Sequence, residues 1–197
     1  MARLDSLLNL DKGLIGRKIF IDPDIYEQEL EKIFARCWLY LGHETQLPNP
    51  GDYFTSSMGE DPMLVTRDTK GTIHAFLNSC RHRGMSVCRS ELGNAKTFRC
   101  PYHGWTYATD GKLVNVPRME TAYFNELDKD KSGLHEVTRL TNYKGMLWAT
   151  WDANAPSFED YLGDMKQYFD LMCDRMPGGL EVVGGAHRWI IDTNWKL

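Results

Sequence analysis

No run of this 197-residue chain is apolar for long enough to span a bilayer, so nothing in it predicts a membrane-embedded protein. A secretory leader is also wanting: Arg3, Asp5 and Asp11 interrupt the apolar positions of the first residues, and the expected location is cytoplasmic. Basic charge is not in excess. Lys and Arg number 23 against 27 Asp and Glu, a formal −4, which argues against a general nucleic-acid binder. Internal repeats, low-complexity stretches and long linkers are missing, which leaves a globular chain with 42% hydrophobic residues for its core. Cysteine is sparse and odd in number. Cys37, Cys80, Cys88, Cys100 and Cys173 make a poor disulfide framework and suit a reducing compartment where thiolates can hold metal.

What is present falls into three stretches. Asp22-Pro23-Asp24 reads as a helix start, with a capping carboxylate and a proline whose missing N–H costs nothing there. Apolar residues from Ile25 to Leu41 then recur at three- and four-residue steps, predicting one helix to about Leu41 with Cys37 in its buried stripe. From Gly51 the pattern shifts to short β-rich runs. These are Tyr53 to Ser57, Met63 to Arg67, Thr72 to Asn78, a hairpin around Asp110-Gly111, and Leu134 to Leu140 with Met146 to Trp151. Helical spacing returns from Ser157 to about Arg175, with Phe158, Tyr161, Leu162, Met165, Tyr168, Phe169 and Met172 on the expected buried face. Leu180 to Ile191 reads as a final strand. The expected class is α+β: an N-terminal segment and helix (1–41), an all-β antiparallel domain (42–152), and the first elements of a truncated α+β domain (153–197).

The chemistry sits in two short spacings, Cys80-Arg-His82 and Cys100-Pro-Tyr-His103. Each loop offers one cysteine and one histidine. In a Rieske [2Fe-2S] cluster one iron takes two thiolates and the other two imidazoles, so two such loops can hold both irons. A tetrahedral zinc site uses the same four residue types, but structural zinc usually pairs Cys with Cys and His with His at its local spacings. Cys88 reads as a small buried residue, and His43, His74, His135 and His187 as isolated polar groups without a role. Residues 81–103 carry Arg81, Arg83, Arg89, Lys96 and Arg99 against Glu91 alone, a balance of +4 inside a chain of −4. That local charge can steer an acidic electron donor such as a ferredoxin, or be no more than solvated loop charge.

At Cys80-Arg-His-Arg-Gly-Met85 and Cys100-Pro-Tyr-His-Gly-Trp105 the sequence closely resembles the alpha (large) subunit of bacterial aromatic-ring-hydroxylating dioxygenases, the Rieske non-haem iron oxygenases. The likeness extends to Cys37-Trp-Leu-Tyr40, Gly51-Asp-Tyr-Phe54, Asp110-Gly-Lys-Leu-Val114 and Asn194-Trp-Lys196. It implies a cluster that takes electrons from a reductase, fed by NAD(P)H, through a ferredoxin. It also implies a second domain with a mononuclear Fe(II) on two histidines and a carboxylate, where O2 meets an aromatic hydrocarbon to give a cis-dihydrodiol. Beta subunits and further alpha subunits are the implied partners, and the implied role is catabolism of aromatic compounds. The family's second-iron motif does not occur before Leu197, and His187 and Asp192 do not match it, so no catalytic residue is assigned and the chain alone is expected to be inactive. The resemblance places Asn194 near the second iron and Tyr102 near a neighbouring subunit's electron-bridging aspartate. A self-contained Rieske electron carrier, or part of a Rieske monooxygenase or demethylase, is the alternative.

Overall fold

The structure, a computed structural model, describes residues 7–185, 187 and 189–197. Its strands are β1 (Leu8–Asn9), β2 (Leu14–Ile15), β3 (Leu39–His43), β4 (Asp52–Met58), β5 (Asp61–Arg67), β6 (Ile73–Leu77), β7 (Leu92–Asn94), β8 (Thr97–Arg99), β9 (Thr106–Ala108), β10 (Leu113–Asn115), β11 (Arg139–Tyr143) and β12 (Met146–Thr150). Its helices are α1 (Lys18–Ile21), α2 (Pro23–Glu29), α3 (Met119–Ala122), α4 (Phe158–Leu162) and α5 (Met165–Cys173). Every pairing between strands is antiparallel: β1 with β2, then β6-β5-β4-β7, β10-β9-β8 and β11-β12-β3. No described helix is long and apolar enough to cross a membrane.

The central strand β5 shows how the sequence builds this. Met63, Leu64, Val65 and Thr66 are all buried, which a half-exposed strand would not allow. Alternation sends Met63 and Val65 to a core shared with β3 and β12, where Leu41, Phe54, Leu147 and Ala149 meet them. Leu64 and Phe76 point the other way, into a second core with Phe98, Tyr107, Leu113 and the two loop cysteines. Thr66 hydroxyl donates to Thr109 carbonyl at 2.7 Å, fastening the four-stranded sheet to the β8–β10 hairpins.

Three expectations need correction. Asp22 does cap α2, accepting from the Asp24 N–H at 3.0 Å, but the helix stops well before Leu41. It widens into a π-helical turn over Leu30–Phe34, and Leu39–His43 is a strand, because β12 claims that backbone in its ladder. The apolar spacing ran across two elements and read as one. Second, the helix from Ser157 divides at Gly163, whose φ of +51° interrupts it, and of the expected buried face only Phe158 is buried; Tyr161, Met165, Tyr168 and Met172 are exposed. Third, no strand forms among the described residues from Leu180 to Ile191, where Val183, Trp189, Ile190 and Ile191 lie exposed.

The residues just beyond that segment are nevertheless fastened. Glu29, buried in α2, accepts from Trp195 Nε1 at 2.8 Å and from Lys196 Nζ at 2.7 Å, so both carboxylate oxygens are used. The Trp195 ring meets Phe34 edge-on at 5.2 Å, and Asn194 Nδ2 donates to the Phe20 carbonyl at 3.1 Å. A carboxylate buried this deeply is tolerated because it is paired and fully hydrogen-bonded.

Candidate metal centre

Two loops of six residues, Cys80–Met85 after β6 and Cys100–Trp105 between β8 and β9, carry all four predicted donors. They share a backbone. In the first, Cys80 N–H donates to the Met85 carbonyl and Gly84 N–H to the Cys80 carbonyl, both at 2.8 Å. In the second, Cys100 N–H donates to the Trp105 carbonyl at 2.8 Å and Gly104 N–H to the Cys100 carbonyl at 3.0 Å. The fifth residue of each is a glycine at positive φ, +72° for Gly84 and +76° for Gly104, a conformation that a Cβ would strain. The histidine differs in place: third in one loop, fourth in the other.

That offset brings the two imidazoles together, 4.7 Å apart and 70° from parallel. Cys80 and Cys100 lie deeper, both buried in the core beside Tyr107. The Tyr107 hydroxyl accepts from the Arg81 N–H at 3.1 Å and lies 3.2 Å from Cys80 Sγ, which leaves its own proton free to donate to the sulfur. Burial, and then the neighbouring thiols, raise the Tyr107 phenol above its usual pKa, so it stays a donor.

The imidazoles are not equivalent. His82 is half-buried and stacks on Trp105 at 5.0 Å and 8°. Its Nδ1 is buried without a hydrogen-bond partner, which a metal bond would satisfy. Burial, with the charges of His103 and Arg83, lowers its pKa and favours the neutral ring that binds metals. His103 is exposed and stacks on the exposed ring of Tyr102 at 3.7 Å. A depression of about 500 Å³ opens over this second loop, lined by Arg99, Tyr102, His103 and Pro117. A wider one of about 780 Å³ beside α5 shares no residue with either loop.

Thiols inside and imidazoles outside form two pairs, the donor set of a two-iron group. Zinc would draw four donors around a single point, whereas here the two buried thiols and the two neighbouring imidazoles come as separate pairs. The donors present fit the dinuclear group.

The remaining cysteines and histidines stay outside. Cys88 is buried, its thiol 3.5 Å from the Ser90 carbonyl, and Cys173 is buried too. Cys37 is only half-buried and meets the Tyr161 hydroxyl, whose pKa that contact and burial push up to about 12. His43 Nδ1 is held by Thr45, and His74 bridges Glu136 at 2.7 Å and Asp68 at 3.3 Å, carboxylates the sequence spacing did not reveal. His135 and His187 face Trp151 and Trp189. Two supporting residues escaped sequence reasoning. Asn78 fixes the return from the first loop through Val87 N–H, Cys88 N–H and the Cys88 carbonyl. Tyr107 was visible in principle, as the one inward residue of β9 with a hydroxyl that burial obliges to find a partner.

A family profile described as Rieske [2Fe-2S] domain matches residues 37–143, just over half the chain. The chain is 49% identical over 196 residues to the benzene 1,2-dioxygenase subunit alpha of Pseudomonas putida, covering 100% of this chain and 43% of that protein. Against the biphenyl 2,3-dioxygenase subunit alpha of Rhodococcus jostii (strain RHA1) it is 48% identical over 196 residues, 100% of this chain and 42% of the relative. Among solved structures, naphthalene 1,2-dioxygenase from Rhodococcus sp. bound to indole superposes with a TM-score of 0.87 at 48% identity, over 92% of this chain and 41% of that one. The chain thus spans less than half the length of the curated relatives it matches.

Proposed function

The chain belongs to the Rieske [2Fe-2S] domain family, and we propose that it is the electron-accepting portion of an aromatic-ring-hydroxylating dioxygenase alpha subunit. Cys80 and Cys100 would hold one iron, and His82 and His103 the other. When bound, the group stores one electron at a potential above that of all-cysteine clusters, because two neutral imidazoles replace two thiolates. The matched loops carry this reading: one backbone, used twice, buries a thiol each time and brings two imidazoles together, His82 half-buried and His103 exposed.

The chain's own residues do the rest. The core around Cys80 and Cys100 excludes water from the sulfurs, and Tyr107 donates to one of them. His103 presents its ring at the surface, where its outer nitrogen can hold or pass a proton to a redox partner. Electrons would arrive from a ferredoxin and an NAD(P)H-dependent reductase, and would pass to a mononuclear Fe(II) held by two histidines and a carboxylate of the full-length subunit. There O2, two electrons, two protons and an aromatic compound would give a cis-dihydrodiol, in an assembly of alpha and beta subunits in the cytoplasm. The names of the benzene and biphenyl relatives support that substrate class.

The test uses protein purified from its native source and identified by peptides spanning Cys80 to His103. With reductase, ferredoxin, 18O2 and benzene or biphenyl, both labelled oxygens are expected in one cis-dihydrodiol. One labelled oxygen in the product would make it a monooxygenase or demethylase. A native mass of 22.7 kDa plus the cluster, with no product, would make it a self-contained carrier.

A further inference from the structure

Trp105 belongs to both loops. Its carbonyl closes the second, accepting from the Cys100 N–H at 2.8 Å, while its indole lies flat on His82 of the first, 5.0 Å away and 8° from parallel. Trp105 is 4% exposed, so it shields the covered face of that imidazole from water. His103 has no such cover, since it rests on Tyr102, an exposed neighbour within its own loop. Stacking is loosely directional, and a ring held by stacking alone can slide; a hydrogen bond at its edge fixes it.

Tyr123 supplies that edge contact. Its hydroxyl accepts from Trp105 Nε1–H at 3.3 Å, and its ring meets the indole 6.0 Å away at 66°. Not every indole is given an acceptor: among the described residues the buried Nε1 groups of Trp148 and Trp151 meet none. The backbone that presents Tyr123 is also costly. Arg118, Phe124 and Asn125 around α3 have φ of +58°, +53° and +59°, and none is a glycine. Such conformations persist where their surroundings over-determine them. The Phe124 ring is mostly exposed and supplies little of that support, whereas Met119, Tyr123 and Leu127, at four-residue steps, pack against the core that contains Cys80 and Cys100. Asn125 N–H donates to the Met119 carbonyl at 3.0 Å and Glu126 N–H to the Tyr123 carbonyl at 2.8 Å, which ties the turn on both sides of Tyr123.

We propose that Tyr123 is a positioning residue for His82: through the Trp105 indole it fixes the plane of that imidazole and keeps water from its covered face. The inference rests on the reading of the loops as the cluster site. Tyr123 stands two contacts away from the donor nitrogens and touches neither loop's cysteine, so its influence reaches one histidine and not the other. Hydrogen bonding and solvent exposure around a ligand are what a protein uses to set the potential of such a group.

The test uses the cluster-bearing protein at its natural length, reduced anaerobically, with Tyr123→Phe as the variant, since it removes one oxygen and keeps the ring. Pulsed EPR reads a nitrogen coupling from each histidine on the reduced cluster. Tyr123→Phe should shift or broaden one of the two and leave the other, with iron and sulfide content unchanged. A loosened indole lets water reach His82, and hydration favours the extra negative charge of the reduced cluster. The midpoint potential should therefore rise, by a roughly threefold change in the reduction equilibrium, which is about 28 mV at about 59 mV per tenfold for one electron. A role confined to folding would lower stability and move neither reading. Trp105→Phe keeps a ring on His82 without an N–H, so in that background Tyr123→Phe should add nothing; an equal shift in both backgrounds overturns the route through the indole. Unchanged couplings and potential in Tyr123→Phe overturn the proposal, as do two couplings that move equally. Wild-type protein that lacks two nitrogen couplings would instead remove the cluster reading, and this proposal with it.

Discussion

The loops Cys80–Met85 and Cys100–Trp105 close with the same pair of hydrogen bonds and the same left-handed glycine, and yet they deliver their imidazoles to different surroundings. In the first, the histidine comes third and lies half-buried against Trp105. In the second it comes fourth, one step further round the same turn, and faces solvent with Tyr102. A single backbone device therefore yields two positions, one protected and one available, through a shift of one residue. Duplicated geometry does not give duplicated function, because each loop meets a different neighbour: β9 and Tyr107 crowd the first, and open solvent borders the second.

Removing a thiol should break both loops at once. Cys80→Ser or Cys100→Ser is expected to abolish the cluster, with iron and sulfide assays near zero, since one iron then keeps a single thiolate. Full iron content in either variant would refute the ligand assignment. The glycines should separate the loops. A Cβ at Gly104 would lie 3.0 Å from Pro117 Cγ, whereas at Gly84 the nearest atom, Ser79 Oγ, is 3.7 Å away. Both substitutions meet the left-handed penalty of about 1–2 kcal/mol, and Gly104→Ala should add about 1 kcal/mol of clash. Equal losses in denaturant unfolding of the two variants would erase that distinction.

Tyr107→Phe acts on the first loop alone. Its hydroxyl stabilises the sulfur more as negative charge builds on reduction, so its loss should lower the midpoint potential by about 40 mV, equivalent to about 1 kcal/mol for one electron. An unchanged potential in spectroelectrochemical titration would show that the 3.2 Å contact carries no proton toward Cys80. The smallest effect belongs to the second loop: Tyr102→Ala should alter stability by no more than about 0.5 kcal/mol, as its ring is 55% exposed. A loss near that of a buried aromatic would mean that His103 is braced as firmly as His82.

The four candidate donors could be proposed from spacing because the pattern is local: each Cys and His pair lies inside one turn of chain, with a glycine to close it. Most β-hairpins were legible for the same reason, since Asp110-Gly111 and Lys144-Gly145 mark their turns where the strands reverse. What stayed hidden depends on contacts distant in sequence. Leu39 to His43 carries helical spacing, yet it is a strand because Met146 to Ala149 lies beside it. Tyr107 matters only once Cys80, far back in the chain, packs against it. Leu180 to Ile191 has the apolar content of a strand, yet its described residues form none, and composition cannot supply a ladder.

The ion pair between Glu29 and Lys196 joins residues 167 apart in the chain. Closing a loop of that size has a length-dependent entropy cost of about 4–5 kcal/mol, so this contact cannot lead the folding reaction and should form after the β-sheets have shortened the distance. During synthesis α2 leaves the ribosome roughly ten to thirty seconds before Lys196 does, at about 5–20 residues per second. Through that interval Glu29 lacks the partners that Trp195 and Lys196 supply. A helix made early in the chain is thus among the last to be completed.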